Sequence, residues 1–231
     1  MDRPDRGASR LTQQSPNIVW RADIAAQRAV RDSSLQASPA LREAVQVVNW
    51  WGGTGVVLFG AALWLGARAF KRRALASVGL RGVEGLAVGS AVSGVIKGLA
   101  GRARPFVTPG EPWHWEFNRG WSEAQFFSMP SGHTTATVAF AVGVTLATMG
   151  WARGRRIALA GPLLASALAV AFARMYGDQH WLSDVVAALV LGTATGLILA
   201  RIRAKRAYPA YERVMLGSAP GEAHGAAGAA E

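Results

Sequence analysis

Five apolar runs, at residues 51–70, 83–99, 133–151, 157–173 and 182–200, leave this chain few choices of fold. A helix needs about 20 largely apolar residues to cross a bilayer. The first run has that length and the others approach it. No stretch alternates apolar and polar residues as a half-buried strand does. The expected fold class is therefore all-α, an integral membrane helical bundle of about five transmembrane helices. Composition agrees: 51% of the residues are hydrophobic and only 17% are charged, where a soluble domain carries about a quarter. The formal net charge of +11 would suit nucleic acid only if it formed a patch. Here Lys and Arg gather between the apolar runs, so no nucleic-acid partner is expected. Cysteine is absent, which excludes disulfides and thiolate metal sites.

The flanks read differently. Residues 1–46 form a polar arm without an apolar core of signal-peptide length. Within it, 18–30 reads as a weakly amphipathic helix that would lie at a membrane interface, or as a disordered arm. Residues 47–206 make up the membrane domain, and 207–231, rich in Ala, Gly and Pro, read as a disordered tail. Basic residues set the orientation. Arg68, Lys71, Arg72, Arg73 and Arg81, then Arg153, Arg155 and Arg156, then Arg201, Arg203, Lys205 and Arg206, fall on one side, which reads as cytoplasmic. Arg102, Arg104, Arg119 and Arg174 fall on the other.

Polar residues mark the same end of several runs. Ser131, Gly132 and His133 follow Pro130, so a polar turn opens a helix whose first N–H groups suit an anion. Upstream stand Lys97, Arg102, Arg104 and Pro105; downstream stand Arg174, His180 and Asp184. His180 and Asp184 are one helical turn apart and read either as a buried structural pair or as a carboxylate placed to orient the ring and leave its other nitrogen as a nucleophile. Gly85, Gly89, Ser93 and Lys97 form a stripe at four-residue spacing, as do His180, Asp184, Ala188, Gly192 and Gly196. Small residues so spaced let helices pack closely in lipid. With histidines only at positions 114, 133, 180 and 224, no ligand cluster of zinc spacing arises. Ser131 lacks the Gly-x-Ser-x-Gly surroundings of a serine hydrolase. Arg102 reads equally as a phosphate ligand or as a headgroup- or solvent-facing charge. The aromatic loop holding Trp113, Trp115 and Trp121 reads as an interfacial belt or as a wall over the site.

Lys-x6-Arg-Pro, Pro-Ser-Gly-His and Arg-x5-His-x3-Asp, in that order over roughly residues 80 to 195, resemble the type 2 phosphatidic acid phosphatase (PAP2) superfamily, which also includes vanadium haloperoxidases. One departure is Ala173, where that superfamily usually has Ser. Five spans are one fewer than most of its membrane enzymes have. The resemblance implies that His180 is the nucleophile that becomes phosphohistidine, Asp184 its partner, and His133 the general acid and then the base. Lys97, Arg104, Ser131, Gly132 and Arg174 would hold the phosphate. It implies no metal and no cofactor, and a lipid phosphate substrate of the phosphatidate, phosphatidylglycerophosphate or polyprenyl pyrophosphate kind. The expected place is a bacterial cell membrane, with the site on the non-cytoplasmic side. Phosphotransfer to an acceptor other than water, vanadate-dependent halide oxidation and a non-catalytic scaffold are the alternatives.

Overall fold

The computed structural model describes residues 17–31, 34–205 and 209–217. Its helices are α1 (Ile18–Arg31), α2 (Pro39–Ala69), α3 (Arg73–Ala100), α4 (Gly132–Ala147), α5 (Arg153–Tyr176), α6 (Leu182–Lys205) and α7 (Pro209–Leu216). Among the described residues there is no strand, only an isolated bridge between Arg102 and Trp115. The fold is all-α, and α2, α3, α5 and α6 are each long and apolar enough to cross a membrane. With α4 they form the expected bundle.

The apolar run at 133–151 yields a shorter helix than its length suggests. Thr148 turns its hydroxyl back onto the carbonyls of Val144 (3.0 Å) and Thr145 (2.9 Å), and the helix stops at Ala147. Its length of about 24 Å falls short of a bilayer core. It need not span, because the other helices surround it: Ala139, Phe140, Ala141 and Val144 are all fully buried. Both small-residue stripes face it. Gly85 and Gly89 of α3 lie against Ala139, and Gly192 of α6 lies so close that a Cβ there would stand 2.8 Å from the Thr135 carbonyl oxygen. Apolar helices gain little from one another by the hydrophobic effect in lipid, so such close packing carries their association. Phe140 fills the space left, packing with Val56, Val78, Val144 and Leu163.

Helix α2 begins well before its apolar run. Ser38 Oγ accepts from the Leu41 N–H at 3.3 Å and Pro39 opens the first turn, a strong start signal. Two wide π turns, Trp51–Gly55 and Ala62–Gly66, interrupt it. Helix α3 ends at Gly101, whose φ of 58° lies in the left-handed region that glycine adopts without strain. Its N–H donates to the Lys97 carbonyl at 3.2 Å.

In the flanks, one alternative is realised and one expectation changes. Residues 18–31 form the helix that is one of the two readings of this segment, with Asp23 and Ile24 buried. Pro209–Leu216, expected within a disordered tail, is also helical: Leu216 packs with Ala67, Ala76 and Leu80, and Glu212 pairs with Arg81 at 2.7 Å. The rest of the tail, 207–208 and 218–231, lies outside the described residues, as do 1–16.

Candidate active site

The site forms at the bundle end opposite the basic loops, where α3 ends, α4 begins and α5 passes to α6. Lys97, buried in the last turn of α3, donates from Nζ to the carbonyls of Phe127 (2.8 Å) and Ser128 (2.9 Å). The Phe127 ring lies 5.0 Å away. These contacts bring the approach to α4 beside the lysine, and Gly132 lets the two meet: a Cβ on it would stand 3.3 Å from Lys97 Cε.

Arg104 and Arg174 converge on one side chain that the motifs did not indicate. Gln179 Oε1 accepts from Arg104 Nη1 and, at 3.4 Å, from Arg174 Nη2. Asn49 of α2 also accepts from Arg174, at 3.2 Å. The Nε atoms of both arginines are buried without a hydrogen-bond partner among the described residues. Burial holds the Arg104 guanidinium below its ordinary value, with Asp184 opposing. Among the described residues no carboxylate forms an ion pair with Lys97, Arg104 or Arg174. Three cations with unspent donors at a water-poor helix junction suit a polyanion. Ser131 occupies the N-cap position of α4, but its hydroxyl lies 3.0 Å from the Thr134 hydroxyl and caps no N–H. The first-turn N–H groups therefore have no side-chain cap from it.

The His180–Asp184 pair is deeply buried. Nδ1 of His180 lies 3.6 Å from Asp184 Oδ2. That oxygen accepts from Ser128 Oγ (2.6 Å) and the Trp181 N–H (2.9 Å), and Oδ1 accepts from Arg102 Nη1 (2.5 Å). Burial pushes the His180 imidazole well below its usual range, and Lys97 and Arg174 add to this against the pull of Asp184. His180 is therefore neutral near pH 7, as a nitrogen nucleophile must be.

Arg102 takes neither of the places expected for it. It is 1% exposed, faces no headgroup, and donates to Asp23, Ser183, Asp184 and the Pro112 carbonyl. The rings of Trp115 and Trp181 lie 5.0 and 5.8 Å from its guanidinium carbon. Trp115 thus belongs to the site's framework, whereas Trp113 and Trp121 are exposed.

The sequence profile of the PAP2 superfamily matches residues 79–208. This chain belongs to the PAP2 superfamily. No curated protein and no solved structure matches it. The matched stretch contains every residue singled out from the three motifs, and membership points to phosphatase-type activity. Asp23, Asn49 and Gly53, which complete the surroundings of those residues, precede it.

Beside this PAP2 core a cleft of about 210 Å³ opens between α2 and α3, lined by Gly53, Val57, Ser93, Lys97, Gly132 and His133 among others. The hydroxyl of Ser93 is buried there without a partner among the described residues. Gly53, in the first π turn of α2, leaves room for the acid–base candidate: a Cβ on it would stand 3.0 Å from His133 Nε2. Nothing in the sequence marked Gly53 or Gln179. Ser93 was visible only as one member of a packing stripe.

Proposed function

We propose that this protein is a membrane lipid phosphatase that cleaves a lipid phosphate monoester or pyrophosphate through a phosphohistidine on His180. The observation that carries the reading is the meeting of Lys97, Arg104 and Arg174, without carboxylate ion-pair partners among the described residues, beside His133 and His180 at one end of a membrane bundle. Phosphoryl transfer spreads charge over three equatorial oxygens, and fixed cations are the groups that hold it. Lys97, Arg104 and Arg174 would take those oxygens, joined by the N–H groups of Gly132 and His133. Ser131, at the N-cap of the same turn, is fully buried with its hydroxyl 3.0 Å from that of Thr134.

The steps follow from the two rings. Nδ1 of His180, on the Asp184 side, keeps the proton, and Nε2 attacks phosphorus. Burial and the nearby Arg174, Lys97 and Arg104 hold the His133 pKa below its ordinary value. The negative phosphate bound among those cations offsets them, so that His133 carries a proton in the complex. The bond from phosphorus to the leaving oxygen breaks as His133 donates that proton to it. Neutral His133 then takes a proton from water, whose oxygen displaces His180 from phosphorus and releases inorganic phosphate. This scheme routes no step through a metal; among the described residues, no three His, Asp or Glu side chains gather as a ligand set.

The cleft between α2 and α3 supports a lipid over a soluble ester. It leads from Lys97 and His133 to the apolar surface of two spans, where Val57 is exposed. The basic loops at the far end support a site on the non-cytoplasmic face of a bacterial cell membrane. Purified protein offered phosphatidate, phosphatidylglycerophosphate and polyprenyl pyrophosphate should release inorganic phosphate from at least one. Substrate consumed without free phosphate would make the protein a phosphotransferase, and no consumption of any would overturn the reading.

A further inference from the structure

Helix α1 lies outside the stretch that matches the PAP2 profile, yet it places a carboxylate in a fully buried polar cluster with Arg102 and Asp184. Asp23 is 1% exposed. Its Oδ2 accepts from Arg102 Nη2 (2.7 Å) and Ser183 Oγ (2.7 Å), and its Oδ1 accepts from the Ser183 N–H (2.7 Å). It thus caps from another helix the first turn of α6, which holds Asp184. A second tie lies on the far side of the same connection, where Arg31, in the last turn of α1, donates to Asp178 at 2.9 Å. The four residues 179–182, which include His180, are bracketed by contacts to one helix.

We infer that Asp23 is a positioning residue that acts on His180 through Arg102 and Asp184, making α1 an obligatory part of the active site. This rests on the phosphohistidine reading of His180. Arg102 divides one positive charge between two buried carboxylates, at 2.7 Å to Asp23 and 2.5 Å to Asp184. The three groups together carry one net negative charge in a medium that screens little. His180 is neutral at rest and gains a positive charge on its ring when Nε2 bonds to phosphorus while Nδ1 keeps its proton. The surplus negative charge offsets it at that moment. Without Asp23, Arg102 would face Asp184 alone, their charges would cancel, and little would remain for the phosphorylated ring. The variant Asp23→Asn keeps an amide oxygen to accept from the Ser183 N–H, so it removes the charge and leaves that cap an acceptor.

The test is rapid-quench measurement of phosphohistidine formation from an aryl phosphate, using full-length wild type, Asp23→Asn, Arg102→Gln and the double variant. Asp23→Asn should slow phosphorylation on the order of tenfold or more, the scale on which outer partners of buried ligands act. KM should stay within about threefold, because Asp23 touches no substrate. In the Arg102→Gln background the same change should cost almost nothing, since the relay is already cut. A purely structural role would lower folded yield and leave the two losses multiplicative. Multiplicative losses, or an unchanged phosphorylation rate in Asp23→Asn, overturn the inference while leaving the phosphatase reading intact. Should Asp23→Asn fail to fold, Ser183→Ala loosens the same link without burying an unpaired charge. It should slow phosphorylation several-fold, and an unchanged rate there overturns the inference too. A wild type that forms no phosphohistidine from any phosphate ester overturns both, for no reacting histidine is then left to position.

Discussion

Nδ1 of His180 and Oδ2 of Asp184 stand 3.6 Å apart, within ion-pair range but beyond an ordinary hydrogen bond. The gap has a cause. Asp184 already accepts from Arg102, Ser128 and the Trp181 N–H, so its lone pairs are largely spent while His180 is neutral. A proton or a phosphoryl group on the ring would add charge and draw the two together.

That arrangement has a signature in stability. Burial lowers the His180 pKa in the folded protein, while the unfolded chain titrates near 6.5. Below that value the unfolded state binds a proton that the folded state refuses, so stability is present above about pH 6.5 and is lost as pH falls. The slope from one such group is at most about 1.4 kcal/mol per pH unit. Between pH 7 and 5, the Tm of wild type in detergent should fall more steeply than that of His180→Asn. Parallel slopes would mean that His180 titrates as a free imidazole.

The two histidines should separate by leaving group. A nucleophile is needed whatever departs, but a general acid only when the departing oxygen is strongly basic. His180→Ala should lose turnover of both a lipid phosphate and an activated aryl phosphate. His133→Ala should lose about 10²-fold or more on the lipid yet still be phosphorylated by the aryl ester, trapping acid-labile, base-stable label. The opposite pattern, with aryl phosphatase activity surviving only in His180→Ala, would exchange their roles.

What the sequence made visible depended on distance along the chain. Lys97, His133, His180 and Asp184 sit at helix ends in short spaced motifs, and the small-residue stripes beside them predicted faces that do pack on α4. Arg102 was misread because its meaning lies in Asp23, 79 residues away, and in Asp184, 82 away. A lone acid on a weakly amphipathic helix looks like a solvated face until the fold buries it. Gln179 and Asn49 are uncharged and belong to no motif, so only the convergence of Arg104 and Arg174 identifies them. Helix α7 was hidden for a similar reason, since its partners Arg81 and Glu84 lie on α3.

Sidedness can be read with single cysteines, for the native chain has none. Glu111 is exposed in the loop between α3 and α4, and Gly154 is exposed at the start of α5 with open space where a Cβ would stand. If the basic loops are cytoplasmic, Glu111→Cys should react with an impermeant thiol reagent in intact cells and Gly154→Cys only after lysis. The reverse pattern would put the site in the cytoplasm.

Gly53 and Gly192 are both tight spots, but for different reasons, and their alanine variants should fail differently. At Gly192 the added Cβ would stand 2.8 Å from the Thr135 carbonyl oxygen and 2.8 Å from Val138 Cβ. Backbone cannot yield there without moving α6 off α4, so Gly192→Ala should cost about 1–3 kcal/mol of stability. At Gly53 the nearest atom is His133 Nε2 at 3.0 Å, with Cδ2 at 3.5 Å. A side-chain ring can turn aside, and alanine gains up to about 1 kcal/mol over glycine inside a helix. Gly53→Ala should therefore fold as well as wild type while holding His133 away from the leaving oxygen. Cleavage of a lipid phosphate should drop on the order of tenfold or more, part of the 10²–10⁴-fold a positioned acid supplies. Phosphorylation by an aryl phosphate should be nearly unchanged, because that leaving group departs without a proton. Equal losses on both substrates would place the damage at the phosphate cations instead of at His133.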